Sequence, residues 1–196
     1  MGDAADFGEF VGRIRAGDAD AAAELVRRFE PLIRREIRLR FGDDRLRRVL
    51  DSGDVCQSVL ASFFVRAAAG QYDLDDPGRL AGLLVRMARN KMATAARAQT
   101  NLRRDCRRAA GGDALEGVAG APSPSRVVAG RELLDRFRDL LTPAERQLAD
   151  LRGQGFGWAE VAGRVGGTAD GCRVQLARAV RRASAALGLD DSSDGE

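Results

Sequence analysis

Between Thr142 and Leu187 glycines cut an otherwise helical stretch at set places, and this punctuation restricts the fold more than any other feature of the chain. Thr142-Pro143-Ala144-Glu145 has the order of a helix start: Thr142 suits the cap, Pro143 the first helical position, and Glu145 can return to the amide of the cap. Leu148 and Leu151 continue an apolar stripe until Gly153 and Gly155 end it. Trp158, Val161, Ala162 and Val165 repeat the period in a second, short helix, which Gly166-Gly167 breaks. Thr168 then caps a third helix, expected from about Ala169 to Leu187. Cys172, Leu176, Ala179, Val180, Ala183 and Leu187 make one face of it, while Arg173, Gln175, Arg178, Arg181 and Arg182 make the other. Two short helices, a tight glycine turn and a long helix with a basic outer face describe a helix-turn-helix.

Amphipathic helices with exposed arginines are common, and most such faces are merely solvated. Here, however, no acid falls between Arg173 and Arg182, where a helix that is only soluble interleaves both signs. At ~1.5 Å per residue the helix reaches ~28 Å, enough to lie in a major groove and run out past a backbone. Arg173, Gln175 and Arg178 are then the candidates for base edges, and Arg181 and Arg182 for phosphates.

The earlier part of the chain also reads as helices. Phe7, Phe10, Val11 and Ile14 form a short one closed by Gly17, and Asp18 caps a longer one whose apolar period runs across Pro31 until Gly42. A basic, irregular stretch from Arg45 to Leu50 follows. Asp51 or Ser52 starts a helix with Val55, Val59, Leu60, Phe63 and Phe64 inward, and Asp54, Gln57 and Ser58 make a polar row at spacings of three and four. After Gly70 a loop holds Tyr72, and Asp76-Pro77 caps a long helix towards Arg108. Leu80, Leu83, Leu84, Met87, Ala88 and Met92 are inward on it, leaving Arg86, Arg89, Asn90, Lys91 and Arg97 as a basic polar face near the only tyrosine.

From Ala109 the composition turns to Gly, Ala, Ser and Pro. The expected fold class is therefore all-α: two small helical domains over residues 1–108 and 127–189, a flexible linker over 109–126, and a disordered acidic tail over 190–196. The linker reaches ~60 Å when drawn out. No histidine occurs, and Cys56, Cys106 and Cys172 lie far apart, so neither a zinc knuckle nor a disulfide framework can be read. No metal or other cofactor is expected, and catalysis is not expected either. Asp73, Asp75 and Asp76 cluster in one loop, but capping is their expected role. No apolar run approaches the ~20 residues that cross a bilayer, and the first residues are acidic where a signal peptide is basic. Membrane insertion is not expected, and the cytoplasm is the expected location.

The chain resembles a bacterial sigma factor. DVCQSVLASFF from Asp54, RMARN from Arg86, the linker and the terminal LTPAERQLADLRGQGFGWAEVAGRVGGTADGCRVQLARAVRRA follow the order of the sigma-70 family, more narrowly the extracytoplasmic-function type with only regions 2 and 4. The resemblance implies a protein that directs core RNA polymerase to promoter DNA. It implies that Asp54 and Gln57, with Ser58 where such families carry an acid, dock on the clamp helices of the polymerase β′ subunit. Tyr72, with Arg86, Arg89, Asn90, Lys91 and Arg97, would capture a flipped base of the −10 element and hold the melted strand. Leu83 stands where those families have a tryptophan. The terminal helix-turn-helix would read the −35 element through Arg173, Gln175, Arg178, Arg181 and Arg182 and contact the polymerase β flap. Many relatives are restrained by an anti-sigma factor. The alternative reading is a helix-turn-helix regulator that acts without polymerase.

Overall fold

A computed structural model describes residues 2–40, 52–108 and 126–189, and among them the regular structure is helical throughout. The helices are α1 (Gly2–Arg15), α2 (Ala19–Arg40), α3 (Ser52–Ala68), α4 (Pro77–Arg108), α5 (Arg126–Asp139), α6 (Pro143–Gly153), α7 (Trp158–Val165) and α8 (Ala169–Ala186). The expected stretch from Gly42 to Leu50, the linker up to Ser125 and the acidic tail lie outside the described residues. Arg126, expected as the last linker residue, is already helical.

The starts of α2, α4, α6 and α8 follow from local side-chain caps. Asp18 Oδ1 accepts from the amides of Asp20 and Ala21, both at 2.9 Å, and Asp76 Oδ1 accepts from the amide of Arg79 at 2.8 Å. Thr142 and Glu145 close a reciprocal box, in which the Thr142 amide donates to Glu145 Oε2 at 2.9 Å. Thr168 Oγ1 accepts from the Gly171 amide at 3.0 Å. Pro31 does not end α2, because its flanks bury Leu25, Phe29, Ile33 and Ile37 on one side of a single helix. Between α7 and α8 the chain reverses at Gly166 and Gly167, with φ of +87° and +93°, values that only glycine adopts without strain.

Two cores result. The first gathers Phe7, Val11 and Ile14 of α1, Leu25 to Ile37 of α2, Val55, Val59 and Phe63 of α3, and Leu80, Leu84, Met87 and Met92 of α4. The second gathers Phe137 of α5 and Leu141 just after it, Leu148 of α6, Val161 of α7, and Cys172, Leu176, Val180 and Ala183 of α8. Leu83, the residue in the place of an expected tryptophan, packs half-buried against the first core.

Helix α3 belongs to both cores. Phe63 and Ala67 face the first, whereas Val65 and Ala69, each fully buried, complete the second. A helix flanked by apolar surfaces on both sides has to be apolar nearly all round, and Ser62, Phe63, Val65, Arg66 and Ala67 are buried in succession. The two helical units thus pack against one another along the second half of α3.

Within the second unit Glu145 joins the start of α6 to α8. It accepts from the cap of α6, and its Oε2 and Oε1 take Arg182 of α8 at 2.7 and 3.1 Å. The Arg182 guanidinium holds the Glu145 carboxyl down to about 2 from its ordinary 4.5. Because the folded value lies below the unfolded one, the stabilisation is complete above about pH 4.5 and is lost as the pH falls towards 2. Glu145→Gln should lower stability at neutral pH by about 1–2 kcal/mol and flatten the acid limb of a melting-temperature profile between those values. An acid limb identical in the variant would show that the pair contributes nothing.

Candidate nucleic-acid and polymerase interfaces

The polar row at the head of α3 is real. Asp54 and Gln57 are exposed and Ser58 is half-buried, while the adjoining Val55 and Cys56 are buried. One helical turn separates the members, so the three form a small polar platform on the end of α3 remote from the second core. The helix is anchored below that platform by Val59 and Phe63, both fully buried.

The loop after α3 places Tyr72 against the first core. Its ring stacks on Phe63, with centroids 6.0 Å apart and planes at 7°, and its hydroxyl reaches Met87 Sδ at 3.9 Å. The Tyr72 carbonyl accepts from Arg15 Nη2 at 2.6 Å. Burial, followed by the nearby charge of Arg152, lowers the pKa of Arg15.

Helix α4 does not present its polar residues as one face. Arg86 and Arg97 are exposed on the side opposite Leu80, Leu84 and Met87, with Asn90 half-buried between them. Arg89 borders this stripe but is held by Glu36 Oε1 of α2 at 2.7 Å, a bond that depresses the Glu36 pKa. Lys91 lies five residues beyond Arg86, about 140° around the helix, and points to the second unit. Its Nζ donates to the Leu189 carbonyl at 3.0 Å. Sequence spacing grouped Lys91 with Arg86 because both are basic, but at the 100° step of a helix residues five apart diverge.

On α8 the buried face, Cys172, Leu176, Ala179, Val180 and Ala183, fixes the direction that is most outward. Counting ~100° per residue, that direction carries Asp170, Val174, Arg178 and Arg181, with Arg173 and Gln175 on its two flanks. Arg178 and Arg181 are exposed and have no acidic partner among the described residues, whereas Arg173 approaches Asp170 at 3.5 Å. Arg182, one of the two phosphate candidates, is turned aside: it pairs with Glu145 and donates to the Leu140 carbonyl at 3.4 Å. Val174, 38% exposed, was not among the sequence candidates. Its signal lay in its angle, directly opposite Leu176 and Ala179, rather than in its residue type.

Two further residues bear on these surfaces that the sequence did not single out. Arg152 of α6 reaches across to Gly70 and Asp73, and Arg164 of α7 lies over the Phe156 ring at 3.5 Å from its centroid. Among the described residues no cluster of metal-ligating side chains occurs, and no helix is long and apolar enough to cross a membrane.

An all-helical chain with a polar row on one unit, a basic helix beside an aromatic loop, and a helix-turn-helix is the architecture of a two-region sigma factor. The model of the extracytoplasmic-function sigma factor family matches residues 4–185, and the chain belongs to that family. Its members serve promoter-specific initiation of transcription with RNA polymerase, and the family is not one of enzymes. No curated protein and no solved structure matched the chain.

The two neighbouring arginines of α8 should separate experimentally. Arg181→Ala should weaken binding to every duplex by a similar factor and reduce the salt slope by about 1, with little change in melting temperature. Arg182→Ala should instead lower the melting temperature, since it leaves the buried Glu145 without its cation. Equal effects of the two in both assays would contradict this division.

Proposed function

We propose that the chain docks on core polymerase through Asp54 and Gln57 of α3, with Ser58 at the edge of the contact, and reads promoter DNA at two separate places. The clamp helices of β′ are the docking partner. A short polar platform with an acid and an amide suits a partner helix that offers arginine and amide groups, because such charge-assisted bonds are directional. Arg86, Asn90 and Arg97 line the melted −10 strand, Tyr72 stacks on an extruded base, and Arg89 joins them by sharing Glu36. Stacking is independent of base identity, so specificity there comes from edge contacts. Lys91 reaches this strand only if it leaves Leu189.

At the −35 element α8 enters the major groove. Arg178 and Arg181 supply the cations, Arg173 and Gln175 reach base edges from the flanks, and Val174 packs on a thymine methyl, the one apolar feature of that groove. Arg182 holds α8 on α6 and so positions the helix. The β flap contacts the same unit. None of these steps is covalent: the protein holds polymerase over the start site and traps unpaired bases as they open. It would act in the cytoplasm with polymerase.

The observation that carries this reading is that Arg86 and Arg97 of α4 and Arg178 and Arg181 of α8, which have no acidic partner among the described residues, lie outward on both units. A regulator acting without polymerase would need only the second of these faces and would leave Asp54 and Gln57 without a role. Run-off transcription with core polymerase on genomic fragments tests it, with discrete start sites that require the chain as the expected result. Asp54→Ala combined with Gln57→Ala should weaken capture of core polymerase by about tenfold or more, as loss of two charge-assisted bonds implies, with the melting temperature unchanged. Undiminished capture would refute the docking assignment.

A further inference from the structure

Two residues before Lys91, and so about 200° around α4 from the seam where the two units meet, one carboxylate holds arginines of two different helices. Glu36 Oε1 accepts from Arg40 Nε, one turn further along α2, at 2.9 Å and from Arg89 Nε of α4 at 2.7 Å. The acid lies beneath and the cations above it: the Glu36 side chain is 15% exposed, those of Arg40 and Arg89 51% and 49%. Both arginines reach the carboxylate through Nε, so neither terminal Nη1–Nη2 fork is spent on it. Bonds of 2.7 and 2.9 Å to the same oxygen also keep the two Nε atoms within ~5.6 Å of each other. The charge does not balance, since one carboxylate faces two guanidiniums.

A bridge that only joined the helices would not need this arrangement. One arginine satisfies Glu36, and exposed ion pairs add little to stability. A cation in the last turn of α2 is favourable in itself, but that accounts for Arg40 alone and not for Arg89 on the same oxygen. A guanidinium binds phosphate through its planar fork, and one whose Nε already rests on a carboxylate has less freedom left to lose on binding. The support is firm, because Ile33 and Ile37 of α2 and Ala88 of α4, all fully buried, hold the two helices below the pair. Arg89 stands one turn from Arg86 and about two from Arg97, so the pair continues the surface assigned above to the melted strand and carries it onto α2.

We propose that Arg40 and Arg89, seated on Glu36, clamp a backbone phosphate of the single DNA strand that crosses α4. Arg40 brings α2 into the DNA contact, and Glu36 is a positioning residue that sets both forks outward. The identity of the strand rests on the function proposed above. The ligand is a phosphodiester, so the clamp adds affinity and register without choosing sequence.

Fluorescence anisotropy of a labelled single-stranded oligodeoxynucleotide of mixed sequence, titrated with the full chain over a range of salt, tests the clamp. Arg40→Ala should weaken binding about tenfold and lower the salt slope by about 0.7, the share of one phosphate contact on a single strand. Arg40→Lys keeps the charge without the fork, and should keep the slope while losing part of the affinity. Arg13→Ala removes an exposed arginine that is likewise paired with an acid, Asp18, and should leave affinity and slope nearly unchanged. Glu36→Gln and Glu36→Leu delete the same charge, but only glutamine keeps an oxygen for the two Nε atoms, so it should bind the strand several-fold more tightly than the leucine variant. Melting temperatures check that each variant is folded. Equal affinities of the two Glu36 variants would overturn the positioning role. Wild-type affinity and slope in Arg40→Ala, an equal loss in Arg13→Ala, or no measurable binding by the wild-type chain at low salt would each overturn the clamp. Failure of the chain to join core polymerase would instead remove the function proposed above, and the titration, which contains no polymerase, would still judge the clamp.

Discussion

The second half of α3 governs the architecture, because it is the one helix that both cores require. Burial of apolar area is the main favourable term in folding, and Val65 and Ala69 give that term to the second unit while Val59 and Phe63 give it to the first. A contact of this kind has no direction of its own. Direction comes from the polar ties at its ends, the Arg152 guanidinium on Gly70 and Asp73 and the Leu189 carbonyl on Ser62 and Lys91. Such ties are strong while dry, because the low local dielectric strengthens a satisfied hydrogen bond.

The placement of the functional surfaces follows from α3 in turn. Its first turns lie beyond the seam and leave Asp54 and Gln57 open to a partner, whereas its last residues lead directly into the loop of Tyr72. The two candidate surfaces of the first unit are thus built on opposite ends of one rigid helix. Rigid support of this sort holds a binding group to a defined geometry more closely than a loop can. The helix-turn-helix has its own rigidity from the capping box of α6 and the Glu145–Arg182 pair, and so can move as a body.

Much of this was legible in the residue order. Proline and glycine positions with Asp or Thr caps gave α2, α4, α6, α7 and α8 nearly to the residue, since caps are local and their geometry involves neighbours only. The apolar period gave both cores apart from Val65 and Ala69. The period singled out neither of these, because their partners lie seventy and more residues further on. The candidate sites were legible by residue type but not by direction. Arg86, Arg97, Arg178 and Arg181 are outward and without acidic partners, whereas Arg89 and Arg182 are held by carboxylates of other helices and Lys91 faces the seam. Nothing in the sequence around Arg89 or Arg182 announces Glu36 or Glu145.

The sequence by itself determined which segments become helices, where they stop, which chemistry each face carries and the family to which the chain belongs, all properties that depend on residues within a few positions of one another or on their linear order. Only the tertiary structure decided that the two units share α3, that Arg152 closes on Gly70 and Asp73, and which of the basic residues are held by carboxylates of other helices. The physical reason is that an ion pair or a shared core joins residues that are close in space and remote along the chain, and helical periodicity carries no information about that pairing.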